Sequence, residues 1–356
     1  MATKTNSYSK QTAVNQILTS EKADALLLVS DQNRLWFTEF AATFGFLFLT
    51  KNKAILVTDA RYYEAACKAA KNAEVILFKG LATVEKVAKN LKIKHLLIEG
   101  DYLTYSYDKL LKKISEKQTI IESKILRAIK MPDELKMMQK VVDITAKVGN
   151  NLPKWIKSGM TELALAKKIT IELINAGGEK NSFDPIVASG PNGSSPHHHP
   201  TNRKLQTGEF VTCDFGTMYH GYCSDITRTF VVGNKPKSQR LVNAYRTVDA
   251  ANRKGIQSCK AGMSGKELDT VCRDYISATE FKDYFVHSTG HGVGLDVHEL
   301  PNVSQAYTGE LFENAIVTVE PGIYIPKLGG IRIEDMVLVK KNKSIWMSEK
   351  IVRPKY

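Results

Sequence analysis

Five residues have types and spacings that could do chemistry together: Asp214, Asp225, His291, Glu320 and Glu334. Four carboxylates brought close together repel one another and are costly to desolvate, so such a cluster holds cations or shares protons. Two divalent metals would neutralise it. Oxygen-rich ligation with one imidazole suits manganese, cobalt, iron or zinc in a binuclear site with bridging carboxylates. His291 is flanked by Gly290, Gly292 and Gly294, which let the backbone approach an ion without a Cβ clash, and His287 and His298 lie close by in sequence. Taken singly, an acid beside a strand is a solvent-facing residue or a turn former, and a histidine is an ordinary hydrogen-bonding side chain. The case for the five rests on repetition.

The second part of the chain says the same thing twice. Residues 157–163 open a segment with a lysine, a glycine-methionine pair and a hydroxyl residue, Thr161, and an apolar run reaches Asp214-Phe215-Gly216 about fifty residues later. Residues 260–268 repeat the opening around Gly262-Met263-Ser264 and lead to Glu320-Pro321-Gly322 after a nearly equal interval. Thr161 and Ser264 are placed to cap helices, and Ser264 with Glu267 fits a capping box. Each copy then returns with a second acid before an apolar strand, Asp225 in the first and Glu334 in the second. Two strand-turn-strand units related by a pseudo-twofold axis would direct four carboxylates at one point.

The first third has a different character. Apolar runs at 25–29, 46–49, 54–57, 75–78 and 95–98 read as buried strands, and 62–73 and 83–91 have helical spacing, which makes an α/β unit. An apolar stripe of Leu126, Ile129, Leu135, Met138 and Val142, with Pro132 suited to a first helical turn, places a boundary near residue 125. Two domains are expected, 1–125 and 126–356. The net charge of +13 comes from dispersed lysines, with short clusters at 109–117 and 340–343, and no basic stripe interleaved with aromatics suggests nucleic-acid binding. Residues 1–12 are polar and no long apolar run occurs, so neither a signal peptide nor a membrane span is expected and the cytoplasm is the expected location. Cys67, Cys213, Cys223, Cys259 and Cys272 are odd in number and scattered, which fits free thiols.

At the motif residues the sequence resembles the pita-bread-fold metallopeptidases, and within them the proline-peptidase branch of Xaa-Pro aminopeptidases (aminopeptidase P) and prolidases. The matching segments are 186–192, 214–216, 221–230, 289–294, 319–324 and 332–335, in order along the chain. Asn33 and the stretches 37–40 and 58–62 resemble the creatinase-like α/β domain that this branch carries before its α+β catalytic domain. The resemblance implies that Asp214 binds the first metal, Asp225 and Glu334 bridge, and His291 and Glu320 complete the second. It implies manganese first, with cobalt, zinc or iron compatible with the same ligands. Glu320 is implied as general base, with His298 and His197 at the reacting peptide. His287 is implied as a wall of the proline pocket, and Arg332 as a residue supporting the ligands, its plain alternative being a surface ion pair. A homodimer is also implied, with the amino-terminal domain near a neighbour's active site.

Proline needs a special pocket because the Xaa-Pro bond is a tertiary amide without an N–H, which an ordinary protease cannot grip as an extended strand. Phe183, Tyr219 and Tyr324 are candidates for its apolar lining. The triple His197-His198-His199 follows Gly190-Pro191-Asn192 and reads as a loop, metal-binding or not. A strict dipeptidase must hold the carboxylate of proline, for which prolidases offer an arginine shortly after the histidine motif; this chain has Asn302 there. An aminopeptidase acting on peptides with proline second is therefore preferred to a prolidase. A methionine aminopeptidase is disfavoured by the extra domain, and a non-catalytic binding protein by the intact ligand set.

Overall fold

The apolar runs of the first third pair into one mixed sheet. The computed structural model describes residues 8–233 and 235–356, so residues 1–7 of the polar amino-terminal stretch lie outside the described residues. Two compact units divide between Arg127 and Ala128. In the first, α1 (Lys10–Ser20), β1 (Ala25–Leu28), α2 (Asp31–Thr38), β2 (Phe46–Leu49), β3 (Ala54–Thr58) and α3 (Tyr63–Ala69) are followed by β4 (Glu74–Leu77), α4 (Leu81–Asn90), β5 (His95–Glu99), α5 (Asp108–Ile114) and β6 (Lys117–Ile121). The strand order is β4-β3-β2-β1-β5-β6. Leu27, Phe46, Phe48, Val57 and Leu96 form part of its core. The helices α1 and α2 begin at the capping serines Ser9 and Ser30, and β6 is an edge strand that leaves Ile120 exposed. No continuous apolar run announces these three.

The second unit is built twice over. Its first half holds α6 (Pro132–Gly149), α7 (Leu152–Trp155), α8 (Glu162–Asn175), β7 (Ile186–Ser189), β8 (Phe210–Phe215), the short β9 (Met218–Tyr219) and β10 (Tyr222–Cys223), and β11 (Ile226–Val231). Its second half holds α9 (Gln239–Ser258), α10 (Gly265–Ser277), β12 (Gly290–Gly292), β13 (Glu299–Val303), β14 (Ile316–Val319), β15 (Gly322–Ile325), β16 (Gly329–Arg332), β17 (Asp335–Val339) and β18 (Ser344–Trp346). Each half thus offers a long helix, a second capped helix and three adjacent antiparallel strands, β7-β8-β11 and β12-β14-β17. Thr161 and Ser264 cap α8 and α10 as expected, the latter with the Glu267 capping box. Pro132 opens α6, where Glu134 accepts the Met131 N–H.

The two halves share one core. Met138, Leu165, Val211 and Phe230 of the first pack with Val293, Ile316 and Met336 of the second, each burial worth about 1.5–3 kcal/mol. Hydrogen bonds cross between them as well: Glu334 N–H donates to the Thr227 carbonyl at 3.1 Å, and the Thr229 hydroxyl to the Arg332 carbonyl at 2.8 Å. All five cysteines are free, with Cys67 exposed and the others buried. Among the described residues no helix is long and apolar enough to cross a membrane.

Candidate active site

Strand ends deliver the acids. Asp214 stands on β8 opposite Thr227 of β11, and Asp225 immediately precedes β11. In the second half Glu320 immediately follows β14 and Glu334 immediately precedes β17. The fifth residue, His291, comes from β12, whose two glycines pack so closely on Thr318 and Leu300 that a Cβ on either would overlap backbone oxygen. The chain therefore needs glycine on both sides of this histidine.

These five side chains meet at the base of one cleft of about 590 Å³. Ligand atoms of Asp214, Asp225 and Glu334 lie within 4.8 Å of one another, as do those of His291, Glu320 and Glu334. Glu334 belongs to both sets, as a bridging carboxylate would. His291 Nδ1 lies 3.0 Å from the Gly292 carbonyl, which favours the proton there and leaves Nε2 facing Glu320 at 3.4 Å and Asp225 at 3.6 Å. Thr227 donates to Glu334 at 2.8 Å and Thr318 to Glu320 at 3.3 Å.

Electrostatics describe a cluster short of positive charge. Burial first, then the Glu334, Asp214 and Glu320 carboxylates, hold the Asp225 carboxyl well above its ordinary range. Glu334 is raised in the same way, by burial and then by Glu320 and Asp214. Burial, with Asp214 beside it, pushes Glu320 up to about 8, against the opposing pull of Arg332 and the Thr318 hydroxyl. Burial and the neighbouring His298 push His291 down to about 3, so its imidazole is neutral and able to ligate.

Around the cluster stand the other expected residues. Arg332 is buried, not a surface ion pair: its guanidinium donates to Asp214 at 2.6 Å, Tyr324 Oη at 2.8 Å, Thr227 at 3.1 Å and the Pro196 carbonyl at 3.2 Å. His287 Nε2 lies 2.9 Å from the Tyr324 hydroxyl, and burial, helped by the Arg332 charge, lowers His287 to about 4. His298 is exposed on the cleft wall, its ring 4.2 Å from that of His291. A nitrogen of His298 also falls within 4.8 Å of ligand atoms of Asp225 and His291, so the geometry alone permits either ligation or contact with substrate.

The triple histidine splits. All three line the cleft, but His197 and His199 are exposed, whereas His198 is half-buried and lies 3.0 Å from the buried Glu162 carboxylate. Of the three candidate pocket aromatics, Phe183 lines the cleft. Tyr324 is instead buried and bonded to Arg332 and His287, and Tyr219 sits in the β9-β10 hairpin away from the lining. Glu162 and Arg228 stand inside the quoted motifs without any role being read for them, and Asp269 stands outside them all; the three hold the site from outside. Asp335 next to Glu334 was visible only as a motif letter; it binds Arg228 and Arg353.

Residues 136–341 match the model of metallopeptidase family M24. The chain belongs to that family. Residues 11–131 match the creatinase/prolidase amino-terminal domain. The protein is 54% identical over 345 residues to a provisionally named Xaa-Pro aminopeptidase of Mycoplasma genitalium, covering 97% of this chain and 98% of that one. Its structure resembles that of an Xaa-Pro dipeptidase from Bacillus anthracis, with a TM-score of 0.92, 35% identity and 98% of each chain covered. An X-Pro aminopeptidase from Thermotoga maritima gives a TM-score of 0.85 at 30% identity, over 95% of this chain and 99% of that one. The two units of this M24 enzyme are accordingly a creatinase-type α/β domain and a pita-bread catalytic domain.

M24 metallopeptidases use divalent metals, and the residues present fit them. Asp214 Oδ1 is buried without a hydrogen-bond partner, as expected of an oxygen reserved for a cation. Three acids raised by burial and then by neighbouring carboxylates, beside an imidazole with its Nε2 lone pair turned inward, form a donor set that divalent ions would satisfy.

Proposed function

We propose that this enzyme removes an amino-terminal residue from peptides with proline in the second position, with residues 126–356 as the catalytic domain and a pair of divalent ions, manganese foremost, as cofactor. The observation that carries it is the convergence of Asp214, Asp225, His291, Glu320 and Glu334 at the base of the cleft. Asp214, Asp225 and Glu334 would hold one ion, and His291, Glu320, Asp225 and Glu334 the other. Bound there, the ions would polarise the scissile carbonyl and lower the pKa of water.

The protein's own side chains do the rest. Glu320 takes a proton from the attacking water as its oxygen bonds to the carbonyl carbon, and returns that proton to the proline nitrogen as the C–N bond breaks. His197 and His298 donate to the oxygen that becomes negative. His287, held by Tyr324, walls the proline side, and Arg332 holds the Asp214 carboxylate in place through its guanidinium.

Aminopeptidase is favoured over dipeptidase by the charge of the cleft. Among its described lining residues Arg332 is the one lysine or arginine, and its guanidinium already serves Asp214, Tyr324, Thr227 and Pro196. Asn302, exposed on β13 and lining the cleft, offers a dipole where a clamp for a free carboxylate would need a charge. Chelator-stripped protein restored with manganese or cobalt is expected to cut Xaa-Pro-Yaa before proline, with the Glu320→Gln variant inactive. Cleavage of the dipeptide Xaa-Pro alone would make it a prolidase and Asn302 irrelevant.

A further inference from the structure

Glu162, the first residue of α8, is fully buried, yet it caps nothing in its own helix. Its two carboxylate oxygens face six donor groups, all from one stretch of chain. Ser189 donates through N–H at 2.8 Å and Oγ at 2.7 Å, and Asn192 Nδ2 reaches both oxygens at 3.0 and 3.1 Å. Thr201 donates through N–H at 3.1 Å and Oγ1 at 2.8 Å, and His198 Nε2 lies 3.0 Å away. These bonds bring the carboxyl below its ordinary value although burial alone would raise it, so it is an anion at neutral pH.

The tethered stretch brings all three histidines to the cleft, with His197 and His199 exposed there and His198 half-buried against Glu162. On one side of His197 the Pro196 carbonyl accepts from Arg332, the same guanidinium that holds Asp214. On the other side the His198 ring meets Glu162. His197 is thus suspended between two fixed neighbours, one referred to the acid cluster and the other to the start of α8. Both attachment points are buried charges with directional bonds, the kind of support that fixes a reacting group to a fraction of an ångström.

We propose that Glu162 is a positioning residue for the reaction, acting on His197 through His198, Ser189, Asn192 and Thr201. The triple histidine then divides its labour: His198 is the tether, and His197 is the group presented to substrate. Removing the charge while keeping the shape, as Glu162→Gln does, turns an amide N–H₂ towards donors and loosens the loop. The proposal rests on the role given to His197 above, and two measurements separate the two ideas.

The first is hydrogen–deuterium exchange on the metal-loaded full chain, which needs no substrate. Faster exchange confined to residues 190–203 in Glu162→Gln is expected, and unchanged exchange there would overturn the tether. The second is a double-mutant cycle in kcat for Xaa-Pro-Yaa hydrolysis. Glu162→Gln alone is expected to lower kcat roughly tenfold or more with KM little changed, and by under about threefold once His197→Ala is already present. A structural role would instead give the same fractional loss in both backgrounds, and that additivity would refute positioning. Where Glu162→Gln does not fold, His198→Gln enters the same cycle and the same exchange measurement. Wild-type protein that cuts no Xaa-Pro peptide would refute the proposed substrate, while the exchange result still decides whether Glu162 holds the loop.

Discussion

The two halves of the catalytic unit agree where they face the cleft and differ where they anchor it. Facing inward, each supplies a strand pair with one acid per strand, Asp214 and Asp225 from the first and Glu320 and Glu334 from the second. Behind that, the first half sends Glu162 from the first residue of α8 to the end of β7, where Ser189 donates to it. The second half leaves the early glutamate, Glu267, exposed in its capping box and uses Asp269, the fifth residue of α10. Asp269 is buried and accepts the Thr289 N–H at 2.8 Å, just ahead of β12 and His291, while Arg273 binds Asp269 and the His287 carbonyl. Strand pairing fixes where a carboxylate can point, so repetition preserves it; the loops carry different histidines, and each half has its own buried anion to hold them.

The largest expected effect tests the shared part. Asp225→Asn and Glu334→Gln remove one carboxylate charge each from equivalent ends of β11 and β17. Loss of an ion worth several kcal/mol of transition-state stabilisation lowers kcat roughly a thousandfold or more. Steady-state kinetics with metal content by mass spectrometry should find the two variants within about tenfold of each other. A large disparity would show that one half dominates the chemistry and that the symmetry is only architectural.

Next in size is the contrast between anchors. Asp269→Asn loosens the segment that delivers His291, the proposed imidazole ligand, and should weaken metal affinity by about 10- to 100-fold in calorimetric titration. Glu162→Gln loosens a segment without a ligand and should leave metal affinity unchanged. Equal losses in both would mean that the anchors support the whole unit and not their own loops.

Much of this was legible in advance, and the reason lies in chain locality. Asp214, Asp225, Glu320 and Glu334 each adjoin an apolar strand, so their position follows from a short window, and Thr161 and Ser264 announce their helices by capping chemistry. Glu162 looks like a helix-start acid in either half, and only the long return of residues 189–201 gives it a partner. Arg332 was ambiguous for the same reason: a surface pair and a buried hub read alike until Asp214, Tyr324 and Pro196 are known to surround it. Tyr219 failed as a pocket residue because a two-residue strand at a hairpin turns its side chain by geometry that composition does not encode.

Metal removal reaches both halves at once and reads out in stability. In stripped protein Glu320 is pushed from 4.5 up to about 8, and Asp225 and Glu334 are raised with it, so the folded state holds protons that the unfolded chain releases. A raised folded value gives stability that is complete below the unfolded value and is lost as pH climbs through the folded one. The lowered His291 and His287 oppose this loss up to about pH 6.5, so the melting temperature of the stripped protein should fall most clearly from about pH 6.5 to about pH 8, while manganese-loaded protein stays flatter over that window. Parallel curves would show that the cluster keeps its charge without cations.

The smallest effect probes the helix starts themselves. Thr161 accepts the Ala164 N–H and Ser264 the Glu267 N–H, so Thr161→Ala and Ser264→Ala should each cost about 1 kcal/mol in denaturant unfolding. The functional consequence should differ. Ser264 and Glu267 bond to each other at the surface, so Ser264→Ala leaves kcat unchanged. Thr161 immediately precedes Glu162, and fraying the first turn of α8 moves the anion that holds the histidine loop, so Thr161→Ala should lower kcat as well. Equal kcat in the two alanine variants would place the hold on that loop in the six donors around Glu162, independent of how the helix beneath it begins.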